Sequence, residues 1–238
     1  MLKPWGIEHI LYLIICTIIL SITAIILKKK INNDKQIEIM FKILGFIGLI
    51  AIILTRISLS IDENNYFYLI PDSYCGITSF LTSISLLFFK KNNIILHAVW
   101  LIGLVGMSAS LLYPNFLSKT PNIFYFSTIT CLLHHTITLF NIIMVFIFKY
   151  LTLTYKKAWT QIVFGSGYVL LAFFLIYVCG IKEALNIFVP VVNNTKLYFA
   201  AMLPLYVVVY LVIIFIIEFI RYKNNKNLNI ENNRPEQK

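Results

Sequence analysis

Charge is what this 238-residue chain has least of: charged residues make up 13% of it, against about 25% in an ordinary soluble domain. That shortage, with 59% hydrophobic residues and a mean hydropathy of +0.83, excludes a water-soluble fold. Cysteine is sparse too. The four thiols, Cys16, Cys75, Cys131 and Cys179, have no CxxC spacing and lie in or beside apolar runs, which excludes a disulfide framework and a zinc-finger type of site. The nine glycines form no GxGxxG or Walker loop, and neither HExxH nor GxSxG occurs, so no nucleotide, metal or other cofactor is indicated.

What is present is apolar sequence in runs of about 20 residues, the length a helix needs to cross a hydrocarbon core of ~30 Å. Seven such spans can be placed, near 7–27, 37–59, 70–89, 94–113, 124–148, 159–178 and 197–220. Unpaired backbone groups cannot face lipid, so the spans are expected to be helices, and the short connections favour antiparallel neighbours. The expected fold is all-α, a polytopic membrane bundle of about seven helices. It forms one domain over residues 1–222, followed by a polar, disordered cytoplasmic tail over 223–238. The first run ends in Lys28-Lys29-Lys30 without a small-residue cleavage site, which reads as a retained anchor. No internal repeat is visible.

The net charge of +10 is placed asymmetrically. The first, third and fifth connections and the tail hold fourteen basic residues, while the N-terminus and the other connections hold only Lys3, Lys119, Lys182 and Lys196. By the positive-inside rule the N-terminus lies outside and the C-terminus in the cytoplasm. Attraction to anionic lipid accounts for this basic charge, so nucleic acid is not an expected partner. Oligomeric state is not legible in the sequence.

The lysines also give depth. Cys75 is 15 residues from Lys90, and His134 and His135 are 15 and 14 residues from Lys149; at 1.5 Å per residue all three lie ~21 to 23 Å above the inner boundary. Arg56, Asp72, Glu8 and His9 fall in the same outer zone, whereas His97 lies in the inner half. Ionisable groups inside a membrane cost a few kcal/mol each and so point to function, although a neutral His can also serve only to pack helices. Cys75 stands out through Pro71-Asp72-Ser73-Tyr74-Cys75-Gly76, which reads as a helix start, where positive partial charge favours thiolate. A His at the same depth could take and return the thiol proton, the nucleophile–base arrangement of acyl transfer. Cys131, one turn before the histidines, could approach the same pocket but lacks that setting. Arg56 could pair with Asp72 or Glu8, or hold a lipid phosphate. Asn193-Asn194-Thr195 matches a glycosylation sequon.

Several of these residues form a recognisable series: Leu69-Ile70-Pro71-Asp72-Ser73-Tyr74-Cys75, Asn93, Trp100 to Gly106, Tyr113-Pro114, Leu133-His134-His135-Thr136, and His9 in the first span. The series resembles the YwaF and transmembrane protein 164 family of integral membrane acyltransferases. The resemblance implies acyl transfer on phospholipid or lysophospholipid. The family's cysteine falls on Cys75 and its histidine on His135, with His134 next to it; Arg56, His9 and Asp72 are the candidate substrate-binding residues. The family motif carries a His shortly before the cysteine, and here Asp72-Ser73-Tyr74 occupies that place. A transporter or ligand-binding membrane subunit is the alternative reading.

Overall fold

In the computed structural model, the chain is described over residues 3–114, 116–117, 122–185, 187–188 and 199–232, with the side chains of 199–203, 205 and 224–232 excepted. Lys119, Lys196 and the sequon at Asn193 lie outside the described residues. The described residues contain no strand and form seven α-helices: α1 (Ile7–Lys30), α2 (Asp34–Asp62), α3 (Tyr74–Phe88), α4 (Ile94–Leu112), α5 (Phe126–Ile147), α6 (Trp159–Tyr177) and α7 (Phe199–Asn232). Five stretches, four of them α1, α2, α4 and α5 and the fifth α6 with its preceding turn, are long and apolar enough to cross a membrane. The chain is a multi-pass membrane protein. Helix α7 runs to Asn232, beyond residue 223, where the sequence suggests disorder begins.

Short polar side chains set the helix boundaries. Asn33, Ser73 and Asn93 each stand just before a helix and accept a hydrogen bond from the backbone N–H three residues on, which satisfies one of the four orphan donors of a helix start. The cap at Ser73 has a further consequence. With Pro71 and Asp72 holding the chain extended before it, α3 begins at Tyr74 and has only 15 residues, ~22 Å of helix, so the apolar run from 70 is not helical throughout. The turn at Tyr66–Leu69 and the link to Ser73 bring the chain to it from the end opposite the basic connections.

Helix α3 is nonetheless central. It packs on α2, α4 and α5, and its buried face is largely hydroxyl: Thr78, Ser79, Thr82, Ser83 and Ser85. Helices can approach this closely because Gly45 and Gly48 of α2 face it, with Ser83 against both; small residues at such contacts let backbones meet in the absence of a hydrophobic driving force. The apolar core sits below, around Phe41, Leu86, Trp100, Met144 and Tyr210. Large apolar residues on α1 such as Ile14, Ile18 and Ile22 are about half exposed, as expected of a helix whose solvent is lipid. At the end of the bundle bearing the basic connections, Lys91 pairs with Asp34, Lys157 donates to the Asn92 carbonyl and Arg221 donates to the Leu153 carbonyl.

Candidate functional site

Arg56, Asp72 and the paired histidines gather around the C-terminal part of α2, while Cys75 and His9 turn to α4. Arg56, on the second-last turn of α2, is buried, and its Nη1 donates to Asp72 Oδ1 at 2.6 Å. Asp72 owes its place to the extended link that precedes the Ser73 cap. The Glu8 alternative is not the pairing found. Arg56 Nε is also buried and has no partner. A guanidinium with one arm on a carboxylate and another donor free can still take a second oxyanion.

His134 and His135 lie a little deeper, one beside the other, with ring centroids 3.9 Å apart. Their tautomers follow from their partners. His135 Nδ1 is 2.6 Å from the Cys131 carbonyl, which can only accept, so Nδ1 carries the hydrogen and Nε2 of the neutral ring is unprotonated. His134 Nδ1 is 3.3 Å from Thr55 Oγ1. That hydroxyl has one hydrogen, which goes to the Ala51 or the Thr130 carbonyl, each 2.9 Å away, so His134 Nδ1 donates and its Nε2 also keeps a bare lone pair. His134 Nε2 is buried without a partner. Both rings therefore offer an acceptor nitrogen, and Arg56 is within electrostatic reach of both. Phe116 stacks on His135 at 6.1 Å, with the planes 15° apart.

Cys75 is the second residue of α3, in the first turn after the Ser73 cap, where backbone N–H groups are unsatisfied and the helix dipole is positive. Its sulfur lies 3.2 Å from Ser110 Oγ and 3.9 Å from the Gly106 carbonyl, both on α4. Neither imidazole is a hydrogen-bond partner of the thiol among the described residues. Cys131 is buried on α5 one turn before the histidines, and its carbonyl holds His135. All four cysteines are free.

His9 has a different position. It is fully buried; its Nδ1 accepts from the Trp5 backbone N–H at 3.1 Å, and its Nε2 donates to the Leu111 carbonyl at 2.8 Å. With both nitrogens engaged, it braces the start of α1 against the end of α4.

Sequence reading passes over several residues on which the site depends. Thr55, Ser58, Thr130 and Ser110 hold the histidines, the helices and the thiol in place. The signal that could have found part of them is periodic: Thr130, His134, Thr138 and Asn141 recur at helical spacing and mark one buried stripe of α5. His97 is buried near the end of the bundle that bears the basic connections, with neither ring nitrogen partnered, while Gln161 donates to its carbonyl. No group of three His, Cys, Asp or Glu among the described residues is arranged to hold a metal ion.

No curated protein and no solved structure matches the chain. One family model does, over residues 4–222, and that range takes in every helix up to Tyr222 of α7 and every residue of the cluster. The chain belongs to the TMEM164 family.

Proposed function

We propose that this protein is an integral membrane acyltransferase acting on phospholipid or lysophospholipid, with Cys75 as nucleophile and one of the paired imidazoles, His135 or His134, as base. The reading is supported by two imidazoles whose Nε2 atoms lack a hydrogen and by a helix-N-terminal thiol three residues after the aspartate that pairs with Arg56. The acyl ester would lie between sulfur and imidazole. The base takes the thiol proton and the sulfur attacks the ester carbonyl. The carbon–oxygen bond breaks, and the departing lysolipid oxygen takes the proton back. An acceptor hydroxyl then attacks the thioester, with the same imidazole removing its proton and returning it to sulfur. Arg56 holds the lipid phosphate through its free donors, Asp72 orients it, and His9 keeps α1 in place. The first-turn position of Cys75 supplies the positive end of a helix where the tetrahedral oxyanion forms. That feature can offset the absent His of the family motif.

The placement of basic residues supports an N-terminus outside and a C-terminus in the cytoplasm, so the cluster works in the outer half of the bilayer. The test is turnover of a phospholipid and lysophospholipid pair in proteoliposomes. Cys75→Ala should abolish transfer at unchanged expression, and an active Cys75→Ala protein overturns the assignment. His134→Gln and His135→Gln then identify the base, since only loss at the acting ring stops turnover.

A second reading is carried by other atoms. Thr82 Oγ1, Ser83 Oγ and Asn141 Oδ1, in the middle of the bundle, are buried without partners, as they would be along a path for water or an ion. Solute or ion uptake into proteoliposomes without lipid turnover favours that transporter reading over the enzyme.

A further inference from the structure

Helix α1 is fastened to the bundle by polar contacts at its two ends, and between them Leu20 and Ala24 rest against the apolar core. At the outer end His9 Nε2 donates to the Leu111 carbonyl, and the Tyr12 hydroxyl donates to Thr136 Oγ1 at 2.8 Å, while Thr136 itself donates to the Leu132 carbonyl. At the other end Lys28 Nζ donates to the Ile147 carbonyl at 3.4 Å and stands 4.9 Å over the Phe148 ring. Between these fastenings a cleft of about 400 Å³ opens between α1 and α5. Its α1 wall combines the short side chains of Cys16, Thr17, Ser21 and Ala24 with Leu13, Leu20 and Ile25, and Leu139 and Ile143 face them from α5.

Small residues facing a neighbouring helix ordinarily let the two backbones close up. Here a cleft remains beside the contact, and it needs an occupant, since an unfilled gap forfeits dispersion contacts on every wall and water is not at hand in the bilayer core. The dimensions select it. Along α1 the lining runs from Leu13 to Ile25, ~18 Å at 1.5 Å per residue, close to the ~15 Å of one leaflet of a ~30 Å hydrocarbon core. Spread over that length, the cleft has a cross-section on the order of 20 Å², against roughly 80 Å² for an α-helix about 10 Å across. One hydrocarbon chain fits it and a helix does not. The position of its upper end matters as much: Thr136, which lines the cleft, is the residue after His135.

We infer that the cleft between α1 and α5 is the binding channel for a single acyl chain of the substrate lipid, entered with the acyl carbonyl beside His135 and the methyl end toward Lys28. This deepens the acyltransferase reading and rests on it for the direction of the chain. The chain enters sideways from the bilayer, and Ala24, near the far end of the channel, sets how long a chain can be seated.

Photolabelling tests it without requiring turnover. The protein is reconstituted in phosphatidylcholine vesicles containing a trace of phosphatidylcholine with a diazirine near the end of one acyl chain, illuminated and digested, and the adducts are located by mass spectrometry. Adducts should concentrate on residues 13–25 and 136–147, at levels several-fold above the lipid-facing surface of α2 at Ile43, Ile47 and Ile50. They should fall to that background in Ala24→Trp and partly in the milder Ala24→Leu, and should persist in Cys75→Ala. Labelling no stronger in the cleft than on α2, or unchanged by both Ala24 substitutions, means ordinary boundary lipid and overturns the inference. Turnover by the wild type separates the two proposals. A labelled cleft with no lipid turnover removes the enzyme reading and leaves a lipid site, whereas turnover with background labelling removes the channel alone.

Discussion

Arg56 is the most demanding side chain of the cluster. An arginine placed within a membrane span costs about 2.5 to 3.5 kcal/mol on insertion scales, and here one carboxylate, Asp72, faces it at 2.6 Å. Removing one partner of a buried pair leaves the other charge uncompensated, at a cost of about 3 to 5 kcal/mol. Asp72→Asn should therefore lower the unfolding midpoint in detergent by a clear margin, with the double variant Asp72→Asn, Arg56→Met regaining part of it. A single variant as stable as the wild type would mean the pair contributes nothing. Thr55 offers a finer test at the same scale. Its oxygen is one acceptor that keeps the His134 hydrogen on Nδ1, the Thr130 backbone being another, so if His134 is the base, Thr55→Val should lower kcat modestly with KM little changed, and Thr55→Ser should restore it. Chain position alone puts Arg56, Asp72, Cys75 and the histidines in one zone, because depth in a membrane follows from counting residues to the nearest lysine. The direction in which each side chain points does not follow from counting. The thiol turns toward Ser110 on α4, and His9 turns out to have both nitrogens engaged.

At the scale of the element, α2 and α3 share the most extensive helix contact among the described residues. A Cβ on Gly45 would come within 2.8 Å of the Ser83 carbonyl oxygen and 2.9 Å of the Leu87 backbone nitrogen, and backbone atoms cannot rotate aside. Gly45→Ala should cost about 1 to 3 kcal/mol, read as a drop in unfolding midpoint. Gly167→Ala, on α6, is the control: nothing lies within 4 Å of its Cβ position, and alanine is favoured over glycine in a helix interior by about 1 kcal/mol, so that variant should be as stable as the wild type or more so. Equal losses at both sites would show that the close packing is not what matters. Hydropathy makes the spans legible because length against bilayer thickness is a one-dimensional problem. Helix α3 departs from it through local chemistry: Pro71 and the Ser73 cap delay the helix start, and that delay places Cys75 in a first turn. Lateral order is different. Which helix stands beside which depends on Gly45, Gly48 and hydroxyls spread over three spans, and no run of apolar letters records it.

For the molecule as a whole, the basic residues gathered at one end predict its orientation. With the other cysteines replaced, a membrane-impermeant maleimide applied to intact cells should label a single cysteine placed at Asn64 and should reach one placed at Lys29 only after permeabilisation. The reverse pattern would put the thiol and imidazoles in the inner half and move the substrate to the other leaflet. Family membership over residues 4–222 and the setting of Cys75 in the first turn of α3, three residues after the partner of Arg56, underlie the proposal that an acyl group passes through the Cys75 sulfur. Its most direct test is intact-protein mass spectrometry after mixing the protein with a phospholipid carrying an isotope-labelled acyl chain and quenching in acid before the acceptor is added. The account predicts one labelled acyl group per chain, on Cys75, released by neutral hydroxylamine and missing from Cys75→Ala. Acyl transfer at the wild-type rate by Cys75→Ala, with no adduct on Cys75 in the wild type, would contradict it.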